Sequence, residues 1–265
     1  MKKKHKKMSI LSKESIQDLI ENQRMEIQIT TSDLVERIIP LFKNLTMEHP
    51  MTRQKWLVDL SGDKHDPDDG LIERKGEGSS DQKFFFHYRP DLLTHLLPQL
   101  TEIKYGDLFN ACAQLHDECT ELASQIISEF DDQFPVFDIK AKYLLLPEDR
   151  SNVLRLLLYK PGNDILAKAH CDKAFATLCL GESHPGLFLD KATTHYAYKQ
   201  DTALCFFGKK AEIVSGSRFK ATPHYVKAFS SEWRWAVVFF IHIQVDMPDS
   251  EIEKGIDKEK NLYQY

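Results

Sequence analysis

Ten short apolar or alternating runs, separated by turn residues, fill the stretch from residue 136 to residue 245. They cover 136–146, 151–159, 166–172, 175–180, 186–189, 195–198, 203–207, 211–214, 222–229 and 233–244. Runs of this length, rich in β-branched and aromatic residues, read as strands. Many short strands at an even rhythm point to a double-sheet barrel or jelly roll. The first half reads differently. Residues 13–28, 32–46, 90–103 and 107–130 carry helical periodicity, clearest in the last, where Leu108, Cys112, Leu115, Cys119, Leu122 and Ile126 recur at three- and four-residue steps. Thr31-Ser32-Asp33 supplies an N-cap signal for the second helix, and Pro40 inside it implies a kink or a break.

The remaining segments set the boundaries. Residues 1–12 form a basic tail expected to be disordered and solvated, with no apolar segment long enough for a signal peptide. Residues 50–83 are polar; the carboxylate-rich run 59–70 fails the EF-hand spacing and reads as a solvated loop. The expected organisation is one structural domain: a helical support region over 13–135 that includes an active-site loop, a jelly-roll core over 136–245, and a polar tail over 246–265.

Charge and cysteine usage exclude several classes. A net charge of −5 does not suit a general nucleic-acid binder. No run of about 18 apolar residues exists to span a membrane. Cys112, Cys119, Cys171, Cys179 and Cys205 show neither CxxC spacing nor a secreted disulfide framework, so reduced thiols in a cytoplasm are expected.

Within the strand-rich half, His170-Cys171-Asp172 places a histidine and a carboxylate two residues apart, hence on one face of a strand. His224 follows at long range, and Arg234 lies ten residues beyond it. Two histidines and one carboxylate are the facial ligand set of non-haem Fe(II) sites, which leave coordination positions open for oxygen chemistry. An arginine nearby suits the far carboxylate of a keto acid.

Several ordered pieces of the C-terminal half resemble the isopenicillin N synthase-like family of non-haem iron, 2-oxoglutarate-dependent dioxygenases. Leu154-Arg155-Leu156-Leu157-Leu158-Tyr159 is similar to the family strand that ends in Tyr before a Pro-containing turn. Ala169-His170-Cys171-Asp172 resembles its H-x-D strand. Gly186-Leu187-Phe188-Leu189 stands for G-L-Q-V, and Ala203-Leu204-Cys205-Phe206-Phe207-Gly208 resembles the apolar strand that ends in Gly. The run from Ser215 to His224 is similar to N-G-R-[YF]-K-S-x-x-H, with Arg218 read as structural. Arg234-Trp235-Ala236 through Phe239-Phe240 resembles R-x-S-x-x-F-F.

The resemblance implies a double-stranded β-helix (jelly roll) on supporting N-terminal helices, an α+β, mainly β chain. It implies His170, Asp172 and His224 as catalytic metal ligands, with Fe(II), O2 and 2-oxoglutarate as cosubstrate. Arg234 and Tyr159 would bind 2-oxoglutarate, and Phe240 would line the substrate cavity. Residues 73–86 sit where relatives carry a loop and strand over the active site, which makes Phe84 and Phe86 substrate-contact candidates. Arg155 shares a strand face with Tyr159 and would favour an anionic small-molecule substrate. The reaction implied is oxidative decarboxylation of 2-oxoglutarate coupled to hydroxylation, desaturation or cyclisation of that substrate, with no nucleic-acid or membrane partner.

Two positions depart from the pattern. Ala236 stands where the family has the serine of R-x-S, and Leu157 where it often has an asparagine. Both family residues help bind 2-oxoglutarate. Their loss keeps open an iron oxidase of the same fold that uses no 2-oxoglutarate. A catalytically silent binding or sensing relative is the other reading, against which the intact H-x-D…H set argues.

Overall fold

The computed structural model describes residues 13–48, 70–74, 82–90, 105–145, 152–162, 164–189 and 195–246. The basic tail over 1–12, the carboxylate-rich run 59–70 apart from Gly70, nearly all of the helix expected over 90–103 and the polar tail beyond residue 246 lie outside the described residues. Helices α1 (Lys13–Asn22), α2 (Ser32–Met47), α3 (Gly106–Gln133), α4 (Ile139–Leu144) and α5 (Lys209–Val214) are interspersed with ten strands. These are β1 (Met25–Gln28), β2 (Gly70–Arg74), β3 (Lys83–Tyr88), β4 (Val153–Tyr159), β5 (Ile165–His170), β6 (Ala176–Glu182), β7 (Leu187–Leu189), β8 (Thr202–Phe207), β9 (His224–Lys227) and β10 (Arg234–Ile241).

Among the described residues the strands form two antiparallel sheets. The larger has the order β1-β8-β6-β10-β4-β3-β2 and the smaller β5-β9-β7. The cavity lies between them. The expected jelly roll on supporting helices is therefore present as two sheets with helices α2 and α3 against the outer face of the larger one.

Strand alternation sorts each central strand into two sets. On β4, Leu154, Leu156 and Leu158 enter the core beneath the helices, whereas Arg155, Leu157 and Tyr159 face the cavity. On β10, Val237, Phe239 and Ile241 join the helix-side core, and Arg234, Ala236, Val238 and Phe240 line the cavity. The helix-side core is heavily aromatic. Phe130 of α3 meets Phe134, Phe175, Phe207 and Phe219 at ring distances of 5.4 to 6.1 Å. Three of these four contacts are edge-to-face, a preferred aromatic geometry.

Several expected elements are corrected. The helix expected over 13–28 stops at Asn22; Gln23 takes a left-handed backbone (φ 57°), and Met25–Gln28 pairs instead with β8. Met25 and Ile27 are buried while Glu26 and Gln28 are exposed, a period of two that a helical reading of four residues cannot exclude. The strand expected over 136–146 is a 3-10 turn, Pro135–Phe137, followed by α4. It has no strand partner and packs on α3 through Phe137 and Ile139. The run 211–214 belongs to helix α5 and not to a strand. Strands β1, β2 and β3 all join the larger sheet, so the range 13–135 is not purely helical support. Pro40 sits inside a continuous α2 and does not end it, while Thr31 stands at the N-cap position as expected but makes no side-chain cap bond.

Candidate active site

The smaller sheet brings the two histidines together. His170, at the end of β5, is the register partner of His224, at the start of β9. Their ring centroids are 4.3 Å apart. Asp172 follows His170 by two residues, and its carboxylate oxygens lie 3.6 Å from His170 Nε2 and 3.7 Å from His224 Nε2. One ligand atom from each of the three residues falls within 4.8 Å of the others.

The surroundings orient each donor. Nδ1 of His170 lies 2.7 Å from the Lys168 carbonyl, and Nδ1 of His224 lies 3.2 Å from the Thr222 carbonyl. A carbonyl can only accept, so in each ring Nδ1 carries the proton and Nε2 keeps its lone pair for a metal. The Thr177 hydroxyl donates to Asp172 Oδ2 at 2.6 Å. Such outer partners fix tautomer and ring orientation in metal sites. The backbone of Asp172 is pinned as well. Its carbonyl accepts from Lys209 N at 2.8 Å, and a Cβ on Gly208 would lie 2.2 Å from the Ala174 carbonyl and 2.8 Å from that of Asp172. Only glycine permits that approach.

The electrostatics suit a cation. Burial, and then the neighbouring His224, push His170 down to about 4, which leaves its ring neutral at pH 7. Burial works to raise the Asp172 carboxyl, but His224, His170 and the Thr177 hydroxyl outweigh it and hold it below its ordinary value. An anionic carboxylate beside neutral imidazole nitrogen is what a divalent metal requires.

The three donors open onto a cavity of about 710 Å³, its mouth included. Tyr159, Arg155, Arg234 and Phe240 all line it. Arg234 is 4% exposed. Its Nε donates to the His184 carbonyl at 3.0 Å, and its Nη2 to Glu182. Nη1 is buried without a partner. An unengaged guanidinium nitrogen in a cavity fits a carboxylate. Ala236 and Leu157, the two departures from the family pattern, are register partners on β10 and β4. The missing serine and asparagine thus leave one continuous apolar patch on the cavity wall.

Arg155 donates to His87 Nε2, and its guanidinium lies 4.5 Å from the Phe240 ring centre and 5.5 Å from that of Phe85. The structure does not bring Phe84 and Phe86 to the cavity. Phe86 is fully buried against Phe109 of α3, and Phe84 stacks on Trp233. The pleat puts residues 84 and 86 on the helix side and turns Phe85 and His87 the other way. Sequence reasoning also missed Glu182 and Tyr196, both of which line the cavity. The Tyr196 hydroxyl is buried with no partner. Tyr196 lies in a segment with no motif of its own, so no sequence signal marked it.

Comparison with known proteins bears on the family and the fold. Residues 148–243 match the family model of the 2OG-Fe(II) oxygenase superfamily. A search of curated sequences returns no significant match. Among solved structures, a Shewanella oneidensis protein assigned as an oxygenase superposes with a TM-score of 0.70 at 18% identity, covering 93% of this chain and 94% of its own. A full-length Neurospora crassa protein in complex with alpha-KG gives 0.68 at 14% identity, over 87% of this chain and 78% of its own. The dioxygenase for auxin oxidation 1 from Arabidopsis thaliana, a 2-oxoglutarate complex, gives 0.62 at 15% identity, over 91% and 94%. At these identities the superpositions speak for the double-stranded β-helix fold. The family match lies over the strand-rich half, on the strands that carry His170, His224 and Arg234.

Proposed function

We propose that His170, Asp172 and His224 hold Fe(II) and that Arg234 anchors the distal carboxylate of 2-oxoglutarate, in an enzyme of the isopenicillin N synthase-like branch acting on a small anionic molecule. The observation that carries the reading is one cavity lined by three convergent ligand atoms and by a buried, unengaged guanidinium nitrogen. Bound Fe(II) with 2-oxoglutarate supplies oxygen activation coupled to decarboxylation. This chain's residues do the rest. The two Nδ1–H groups and Thr177 keep the three ligands aimed. Leu157, Leu187, Val226, Val238 and Phe206 keep the cavity apolar. Tyr159, across the ladder from Arg234, lies with its ring centre 5.5 Å from that guanidinium. Tyr196 lines the same cavity, with its hydroxyl buried and unpartnered.

Arg155 gives the substrate side its charge preference. Its guanidinium stacks against Phe240 on the same cavity wall, a position from which it orients a carboxylate or phosphate. Five free thiols fit a reducing compartment such as the cytoplasm. Among the described residues no helix is long and apolar enough to cross a membrane.

An anaerobic titration with Fe(II) and 2-oxoglutarate tests the reading through its charge-transfer absorption band. Acids should then stimulate O2 uptake where their amides do not, and Arg155→Leu should erase that difference. Equal stimulation by both would reject the anionic substrate. A second reading, an iron oxidase that needs no 2-oxoglutarate, draws on the apolar Ala236–Leu157 patch and on Glu182 seated against Arg234. No band at saturating 2-oxoglutarate would favour it.

A further inference from the structure

We propose that Glu182 is a built-in competitor for the carboxylate site of Arg234, and that it sets how tightly this chain takes 2-oxoglutarate. The inference rests on the reading of Arg234 as the cosubstrate anchor. A guanidinium presents two edges with paired N–H groups, Nε with Nη2 and Nη1 with Nη2, so every bidentate grip uses Nη2. In this chain Nη2 is taken by Glu182 and Nε by the His184 carbonyl. Nη1 has no partner, and Nη2 keeps one N–H beyond the one given to Glu182. A second carboxylate on the Nη1–Nη2 edge therefore shares Nη2, and the single positive charge, with Glu182.

The backbone explains how Glu182 comes to be there. Thr177 and Cys179 face the cavity, and simple alternation would send residue 182 to the helix side. The ladder between β6 and β10 shifts register at Val237/Val238, where Gly181 opposes Val237 and Cys179 opposes Val238. The extra residue on β6 reverses the parity beyond it. Glu182 then stands opposite Ala236, with Arg234 as its diagonal neighbour on the same face, within reach of two long side chains. The bare methyl of Ala236 adds no competing donor.

Two carboxylates on one buried guanidinium leave an uncompensated negative charge, which a protein removes by binding a proton. Glu182 is suited to take it. Burial already raises its carboxyl above the ordinary value, against the opposing pull of Arg234. The other groups facing it are Cys179 on its own strand and His195, Tyr196 and Tyr198 from the segment before β8. His184, whose carbonyl holds Nε, is itself paired with Glu232 at 3.1 Å. Binding of 2-oxoglutarate therefore takes up a proton on Glu182, and affinity falls as pH rises.

The test is calorimetry of the Fe(II)-loaded protein under nitrogen, in two buffers of different ionisation heat, with 2-oxoglutarate and with pyruvate. Pyruvate has the same keto-acid head and no distal carboxylate. Wild type should take up close to one proton per 2-oxoglutarate near pH 7 and bind up to about tenfold more weakly per pH unit above it. Glu182→Gln keeps a hydrogen-bonding side chain and removes the charge. It should abolish the uptake, tighten 2-oxoglutarate about tenfold and change pyruvate by less than about twofold. No proton uptake by wild type, or weaker 2-oxoglutarate binding by Glu182→Gln, overturns the proposal and makes Glu182 a brace for Arg234. The wild-type proton count needs no variant, so a poorly folding variant does not rescue the idea. If instead Arg234→Ala binds 2-oxoglutarate as wild type does, the cosubstrate reading itself has failed, a result distinguishable from the first.

Discussion

The two faces of the large sheet are built from the same strands and do opposite work. The helix-side face is apolar and aromatic, with Phe130, Phe175, Phe207, Phe219 and Phe239 all essentially inaccessible. The cavity face carries Arg155, Arg234, Glu182 and Thr177 among its apolar residues, across the cavity from the histidines of the smaller sheet. Neighbours in sequence thus fall under different rules: Phe239 packs on His116 of α3, while Phe240 lies under Arg155. The difference teaches that stability and chemistry are separated by a rotation of 180° along one strand. Substitutions on one face should move stability and spare ligand affinity, and substitutions on the other should do the reverse.

The sharpest break of that contrast is at the metal. His224→Ala or Asp172→Ala should abolish iron-dependent turnover and lower Fe(II) affinity by at least about a hundredfold, with the fold largely intact. Anaerobic Fe(II) titration and circular dichroism check both halves. A structure of the iron-loaded protein with these side chains off the metal would sink the assignment.

On the opposite face, Phe130→Ala should cost about 3–5 kcal/mol of stability, because Phe134, Phe175, Phe207 and Phe219 lose the ring they share as a neighbour. Urea unfolding measures it. Fe(II) affinity of the protein that remains folded should stay within about twofold of wild type. A large affinity change would mean that the faces are coupled through the sheet.

Arg234→Ala should weaken 2-oxoglutarate about a hundredfold, the effect of losing charge-assisted hydrogen bonds worth roughly 1.5–3 kcal/mol. Arg234→Lys should recover only part of this, because an ammonium lacks the planar fork. The variants also leave Glu182 buried without its partner, so melting temperature should be read beside affinity. The smallest expected effect is Ala236→Ser, which should tighten 2-oxoglutarate by up to about tenfold by restoring a hydroxyl on the cavity wall. No change would show that another donor, Tyr196 first, already fills that role; Tyr196→Phe then becomes the informative variant.

A pH series sharpens the comparison further. Burial first, then Lys210, Arg89 and Arg155, hold His242 well below its usual value. The unfolded chain therefore binds the extra proton. His242 costs nothing above about pH 6.5, and stability falls as pH drops below that value. Unfolding free energies of wild type and His242→Gln between pH 5 and 7 should converge at the acid end.

Much of the molecule was legible from residues alone. The convergence of His170, Asp172 and His224 was expected from the H-x-D spacing and from the place of His224 in an ordered series of pieces, although β5 ends at His170 and leaves Asp172 just beyond the strand. The two faces of β4 and β10 followed from alternation, since both strands are buried on either side and keep their pleat. Alternation on β3 likewise separates Phe84 and Phe86, in the helix-side core, from Lys83, which lines the cavity, and Phe85, which packs on the same side. What sequence could not decide was whatever depends on long-range partners. Met25–Gln28 is a strand because β8 lies beside it, whereas 139–144 is a helix that packs on α3. Glu182 is the clearest case. Counting by twos from Thr177 sends it away from the cavity, and one register shift against β10 brings it back onto Arg234. A bulge belongs to a pair of strands, so it is written in neither strand's own sequence. The chain's residues determined which donors exist and how they alternate; only the tertiary pairing decided that a glutamate would share the arginine expected to hold 2-oxoglutarate.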